Sequence, residues 1–235
     1  MSEAWVAPRS ARWPRPVGAM TTTTAWHGAS LWERSSDRDR EIAPTVVAVQ
    51  RLTQIHGSRC VEARLETVGE IPEADAAWTR ERGLALMVVT ADCVPVVICD
   101  RAATVVGVAH GGWRGLVGGV LENLVASLPV PPAELMAWLG PAIGPSVYEV
   151  GEDVASAVRG VPEGEQLARD CLHPGAPGKH YLDLFILSQR LLHRAGVGEI
   201  STERLCTYSD RRFYSYRRDG ATGRMATLGW LQEAV

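Results

Sequence analysis

LALMVVTADCVPVVICDRAATVVGVAHGG, residues 84–112, holds three apolar runs separated by one polar crossing at Asp92-Cys93 and one turn near Arg101. Leu84–Val89, Val94–Cys99 and Val105–Ala109 are rich in β-branched residues and almost continuous in hydrophobicity. That is how strands covered on both faces read. The two longest runs, 84–91 and 94–99, are far too short to span a bilayer.

Outward from this core, TVVAVQRL (45–52) and RCVEARLE (59–66) read as further strands around a turn at His56-Gly57. LVGGVLENLVASL (116–128) reads as a helix closed by Pro129, LMAWLGPAIG (135–144) as a strand entering a Gly/Pro loop, and GEDVASAVRG (151–160) as a short helix. DLFILSQRLLHRAG (183–196) gives the clearest helical stripe: Leu184, Leu187, Leu191 and Ala195 share a face, with Asp183 as N-cap and Gly196 as stop. The tail, 204–231, is expected to alternate as strands around a turn at Asp219-Gly220. The expectation is an α/β (α+β) sandwich with several buried strands and about four helices.

The chain has 235 residues, 46% hydrophobic and 22% charged, which suits one catalytic domain over 21–235. Residues 1–20, rich in Pro, Arg and Trp, are expected to be a disordered extension, and a start at Met20 would keep every residue needed. They contain no apolar core of a secretory signal. A net charge of −3 with no dense basic run gives no reason to expect nucleic acid. Five scattered cysteines without a CxxC pair fit a reducing compartment, so cytoplasm is expected. Nothing in the pattern sets an oligomeric state.

Three metal-competent residues stand where apolar strands end: His56, Cys93 and His110. Two imidazoles and a thiolate suit zinc, and three protein ligands leave a fourth position open, as in catalytic sites. Spacing alone does not decide this, because a Cys among apolar strands also reads as core and a His before Gly as a turn residue. Cys93 as nucleophile with His110 as its base is an alternative, giving amide-hydrolase chemistry. Asp92, beside Cys93, is a candidate to orient a ligating imidazole. Arg114 and Arg217 are candidate anion or substrate contacts, with Arg218 and Arg224 close to the latter. Multicopper chemistry needs many imidazoles, and the chain has six histidines in all, so copper is not expected.

QIHG (54–57), TADCVPVVICD (90–100), VAHGGWRG (108–115), GPAIGPSVYEVG (140–151), HYLDL (180–184) and SYRRDGATGR (215–224) occur in this order. Together they resemble the YfiH-like family, long labelled multicopper polyphenol oxidoreductase or "laccase domain" proteins. The resemblance implies a sandwich related to the catalytic domain of cytotoxic necrotizing factor toxins. It also implies one zinc held by His56, Cys93 and His110. The activity it implies is phosphorolysis of purine nucleosides (adenosine, inosine, methylthioadenosine) with adenosine deamination, so a nucleoside and phosphate would be the partners. For some members it implies editing of peptidoglycan precursors. One departure stands out: the family's TTR-x-GG-x-S string is TTTTAWHGAS (21–30) here, with no Arg after the threonines and His27 beside a single Gly.

Overall fold

The computed structural model describes residues 5–8, 13–14, 17–23 and 46–232. His27 and the charged loop after it lie outside the described residues. The strands are β1 (Trp5–Val6), β2 (Val17–Thr22), β3 (Ala48–Gln50), β4 (Cys60–Glu62), β5 (Ala76–Thr79), β6 (Leu84–Thr90) and β7 (Val94–Asp100). They continue as β8 (Val106–Gly111), β9 (Leu135–Leu139), β10 (Glu149–Gly151), β11 (Leu172–Pro174), β12 (Lys179–Leu182), β13 (Glu199–Thr202) and β14 (Met225–Leu231). The described helices are α1 (Trp113–Val117), α2 (Val120–Ser127), α3 (Glu152–Arg159), α4 (Gly164–Cys171), α5 (Leu184–Arg194) and α6 (Tyr216–Asp219).

The three apolar runs are strands, and all but one of their residues are buried. They do not share one sheet. β6 lies in a five-stranded sheet of order β1-β2-β14-β6-β3, whereas β7 and β8 form an antiparallel hairpin inside a six-stranded sheet, β13-β9-β7-β8-β5-β4. The chain therefore steps from one layer to the other at Ala91-Asp92-Cys93. Leu84, Leu86 and Val88 of β6 pack against Val97, Cys99, Val106 and Val108 of the hairpin, which fills the space between the sheets. The opposite face of the six-stranded sheet, with Val94, Val96 and Ile98, is covered by Leu121 and Leu124 of α2 and by Leu187 and Leu191 of α5. A small sheet, β10-β12-β11, flanks the helices. The mixed α/β architecture is thus sheet on sheet on helices.

Several expectations are corrected. Residues 17–22 are a fully buried strand of the five-stranded sheet, not part of an extension. Val17 to Thr21 pair with Leu231 to Thr227, so a start at Met20 would cut a strand in half. The segment 116–128 is broken by Gly118-Gly119, where Gly119 takes φ +88° and turns the chain between α1 and α2. The tail alternates as a strand only over its last seven residues. Before that, Ser215 caps the one-turn α6 by accepting from the Arg218 amide. Arg218 also donates to the carbonyls of Thr207, Tyr208 and Phe213, so these backbone groups are satisfied without a strand partner. The α5 reading needs no change: Asp183 accepts from the Ile186 amide at 3.0 Å, and Leu184, Leu187 and Leu191 are buried. Among the described residues, no helix is long and apolar enough to cross a membrane.

Removing residues 1–19 deletes β1 with its buried Val6, buried Val17 and Ala19, and the first half of the β2–β14 ladder. Chemical denaturation is expected to show a loss of about 2–4 kcal/mol in unfolding free energy. An unchanged denaturation midpoint and slope would show that β1 and this half-strand contribute nothing.

Candidate metal centre

His56 lies in the β3–β4 loop, Cys93 at the crossing between the sheets, and His110 near the end of β8, opposite Pro95 of β7. These segments bring the three side chains together. One ligand atom from each lies within 4.8 Å of the other two, and among the described residues this is the grouping able to hold a metal ion. The two imidazole rings meet edge to face, with centroids 4.6 Å apart. His110 is buried, Cys93 half-buried and His56 exposed, so the cluster has a closed back and an open front.

The back is built around Asp75, just before β5 and wholly buried. Its Oδ1 lies 2.8 Å from His110 Nδ1 and accepts the His56 amide at 3.0 Å. Its Oδ2 accepts the amides of Ile55 at 3.1 Å and Gly57 at 2.7 Å. Three successive N–H groups converge on one carboxylate because His56 sits at φ +59°, in the left-handed region. Burial opposes ionisation of Asp75, yet the His110 hydrogen bond and the Gly57 and Ile55 amides hold it below the usual carboxylate range. Burial also disfavours a charged His110 ring. Its hydrogen bonds to Asp75 and Cys93 outweigh that and push it up to about 9. His56 moves the other way: burial, then the neighbouring His110 charge, lower it, with Asp75 opposing. The centre thus combines one ring drawn toward the imidazolium form with one kept neutral.

Asp92 does not face an imidazole. Its Oδ1 accepts from Thr207 Oγ1 at 2.6 Å and its Oδ2 from the Arg217 amide at 2.7 Å. It also stands at φ +92°, so the sheet crossing is held in a left-handed turn by bonds to the tail. Asp75, which the sequence reading passed over, occupies the imidazole-orienting place assigned to Asp92. Its one signal is an acid flanked by alanines at the mouth of a buried strand, in EADAAW (73–78).

In front of the cluster lies a cavity of about 550 Å³. Its lining includes Gln54, Thr90, Asp92, Trp113, Arg114, Tyr148, Tyr216, Arg217 and Arg224 with the three candidate ligands. Both predicted arginines are there. Arg114 lies over the Trp113 ring at 4.5 Å and Arg217 over the Tyr148 ring at 5.0 Å. Neither guanidinium has a carboxylate partner among the described residues, and nor does that of Arg224; the Arg217 guanidinium donates to the Glu149 carbonyl at 3.0 Å. Arg218 is instead paired with Asp219 at 2.7 Å and is structural. Tyr148, to which the sequence reading gave no role, keeps its phenol proton: burial, then the Cys93 charge, push it up to about 12. Thr90 Oγ1 is buried and lacks a hydrogen-bond partner among the described residues. The remaining described histidines stand elsewhere, His173 on β11, His180 on β12 paired with Glu152, and His193 on α5. A second groove of about 430 Å³, around the Arg190–Asp170 ion pair of α5 and α4, is lined by His193 and by none of the three candidate ligands.

Residues 34–232 match the family model described as multi-copper polyphenol oxidoreductase laccase. The chain belongs to this laccase-domain family. Among its curated relatives, a Pseudomonas aeruginosa protein named purine nucleoside phosphorylase is 46% identical over 77% of this chain and 74% of the relative. A Xylella fastidiosa protein of the same name is 38% identical over 94% and 95%. The Escherichia coli purine nucleoside phosphorylase YfiH is 42% identical over 77% and 72%. Among solved structures, Neisseria meningitidis NMB0706 superposes with TM-score 0.86 at 39% identity, covering 98% of this chain and 100% of that one. Bacillus licheniformis YfiH superposes at 0.82 with 28% identity, over 92% and 93%.

Gly112 leaves no room beside the candidate ligands. A Cβ there would stand 2.5 Å from His56 Nδ1 and 3.2 Å from Cys93 Sγ. Gly112→Ala is therefore expected to unfold cooperatively like the parent but to take up a divalent metal ion about ten-fold more weakly or worse. Titration against a chromophoric chelator measures this, and parental affinity would show that the ring does not move.

Proposed function

We propose that this laccase-domain protein is a zinc-dependent purine nucleoside phosphorylase whose centre is His56, Cys93 and His110. The observation that carries the reading is the convergence of two imidazoles and a thiolate, backed by a buried carboxylate, at the base of a cavity rich in arginines and aromatic rings. The donor set fits zinc: two nitrogens and one sulfur, with the fourth side open to the cavity. When bound there, the ion supplies Lewis-acid polarisation of a substrate oxygen or nitrogen.

The chain's own groups do the rest. Arg114 and Arg217, without carboxylate partners among the described residues, are suited to hold phosphate, and their stacking on Trp113 and Tyr148 fixes the direction of their donors. Aromatic faces at Trp113, Tyr148 and Tyr216 offer a planar base a stacking surface. A ribose hydroxyl can satisfy the orphan Thr90 Oγ1. In phosphorolysis a phosphate oxygen bonds to C1′ as the C1′–N9 bond breaks, giving pentose 1-phosphate, while the leaving base takes up a proton. Tyr148, protonated at neutral pH, is a donor within the cavity.

The copper chemistry in the family's description needs a trinuclear imidazole cluster as well as a mononuclear site. Among the described residues His173, His180 and His193 lie outside the cavity, so this chain's donors support zinc rather than that arrangement.

A second reading has one specific observation in its favour. His110 is hydrogen-bonded to Asp75 through Nδ1 and has the Cys93 thiol within 4.8 Å, which is the order of a Cys-His-Asp triad for amide hydrolysis. Metal content separates the two. Purified protein is expected to carry about one zinc per chain, lost in Cys93→Ala. Metal-free protein with a readily alkylated Cys93 would favour the hydrolase, including an editing role on peptidoglycan precursors. Inosine, adenosine and methylthioadenosine, incubated with and without phosphate, are expected to yield free base and pentose 1-phosphate only with phosphate. Inosine appearing from adenosine would reveal deamination. No product above a His110→Ala control would sink the nucleoside reading.

A further inference from the structure

A single buried acid touches both histidine arms of the centre. We propose that Asp75 is its positioning residue, one carboxylate that sets the tautomer of His110 and the seat of His56 together. The inference rests on the metal reading above. With Nδ1 donating to Asp75 Oδ1 at 2.8 Å, the His110 lone pair is left on Nε2 for a metal. The same Oδ1 takes the His56 amide, and Oδ2 takes the amides on either side of it. These bonds hold His56 in its left-handed conformation, which a non-glycine residue adopts only when its surroundings enforce it. Asp75 is itself fixed by main-chain bonds: its carbonyl accepts the His110 amide at 2.7 Å and its amide donates to the Arg59 carbonyl at 3.1 Å. It has no exposure, so water cannot replace any of these partners.

The arrangement makes the near-isosteric Asn a sharp probe, because it fails in either orientation. An amide nitrogen at the Oδ1 place opposes the His56 amide and His110 Nδ1–H. The ring must then carry its proton on Nε2 and loses its free lone pair there. An amide nitrogen at the Oδ2 place opposes the Ile55 and Gly57 amides and unseats the His56 loop. Each orientation removes one imidazole from the centre and leaves Cys93 in place.

The test uses the full chain. Asp75→Asn is expected to bind Zn2+ about 10–100-fold more weakly than the parent in chelator competition, run below a metal-free melting temperature that is lowered by several degrees. Loaded with Co2+, the variant should keep the thiolate charge-transfer band from Cys93 while its ligand-field bands shift, a change that a purely structural role would not produce. Parental affinity and an unshifted spectrum would overturn the proposal. Should the parent itself take up no zinc, the metal reading fails first. A second measurement needs no variant: 15N spectroscopy of the zinc-loaded parent should report His110 protonated on Nδ1 and metal-bound through Nε2. The opposite tautomer would overturn the assignment even if Asp75→Asn does not fold.

Discussion

A fully buried carboxylate must find a partner for each of its oxygens, and Asp75 finds four on two segments that are distant in sequence. Ionised, it carries a charge in a place with no water, so the surrounding donors are obligatory rather than optional. They come from the β3–β4 loop on one side and from β8 on the other. Gln54 ties one end of the loop to the Val89 backbone and Ser58 and Arg59 tie the other, but its tip is exposed at His56, half exposed at Ile55 and left-handed at His56. Without a fixed anion behind it, this stretch has no reason to aim an imidazole into the cavity. The centre is therefore a product of electrostatics in the layer behind it as much as of the ligands themselves.

A second carboxylate plays the complementary part at the front. Asp92 stands where the chain leaves the five-stranded sheet for the six-stranded one, and its two oxygens are taken by Thr207 and the Arg217 amide. That bond pattern draws the tail across the cavity and sets Arg217 over Tyr148. One acid thus anchors the ligands and the other anchors a wall of the binding space. The sheet crossing serves both, because it places Cys93 at the boundary of two rigid layers rather than on a loose loop.

Much of the strand composition of the two layers is legible in the sequence. β6, β7 and β8 were readable because strands buried on both faces cannot disguise their composition, and α5 because its stripe and its Asp183 cap agree. Most of β2 was hidden: Val17–Met20 end a stretch rich in Pro, Arg and Trp that resembles a linker, and the partner β14 lies some 206 residues away in sequence, as in the Thr21–Thr227 hydrogen bond. The short α4 and the three-stranded sheet carried no periodicity long enough to register. The three candidate ligands were visible as polar residues at strand ends, but spacing could not bring them together, and the ordered motifs did that. Asp92 drew attention by its adjacency to Cys93. Neighbouring residues on a chain turning between layers point in different directions, so adjacency was the wrong guide. The orienting acid came from 35 residues before His110, a separation with no local signature.

β14 runs between β2 and β6, at the centre of the five-stranded sheet, although it is the final strand of the described chain. Until residues 225–231 are available, β2 and β6 have no shared neighbour, and one side of the inter-sheet core stays open to water. The segment that places Tyr216 and Arg217 at the cavity immediately precedes it. During synthesis on the ribosome, then, the hairpin and helices can assemble early while the pocket waits for the last strand to slot in. Nascent chains of this protein would hold no finished pocket, and a fragment ending before residue 225 would leave two sheet edges exposed to chaperones and to one another.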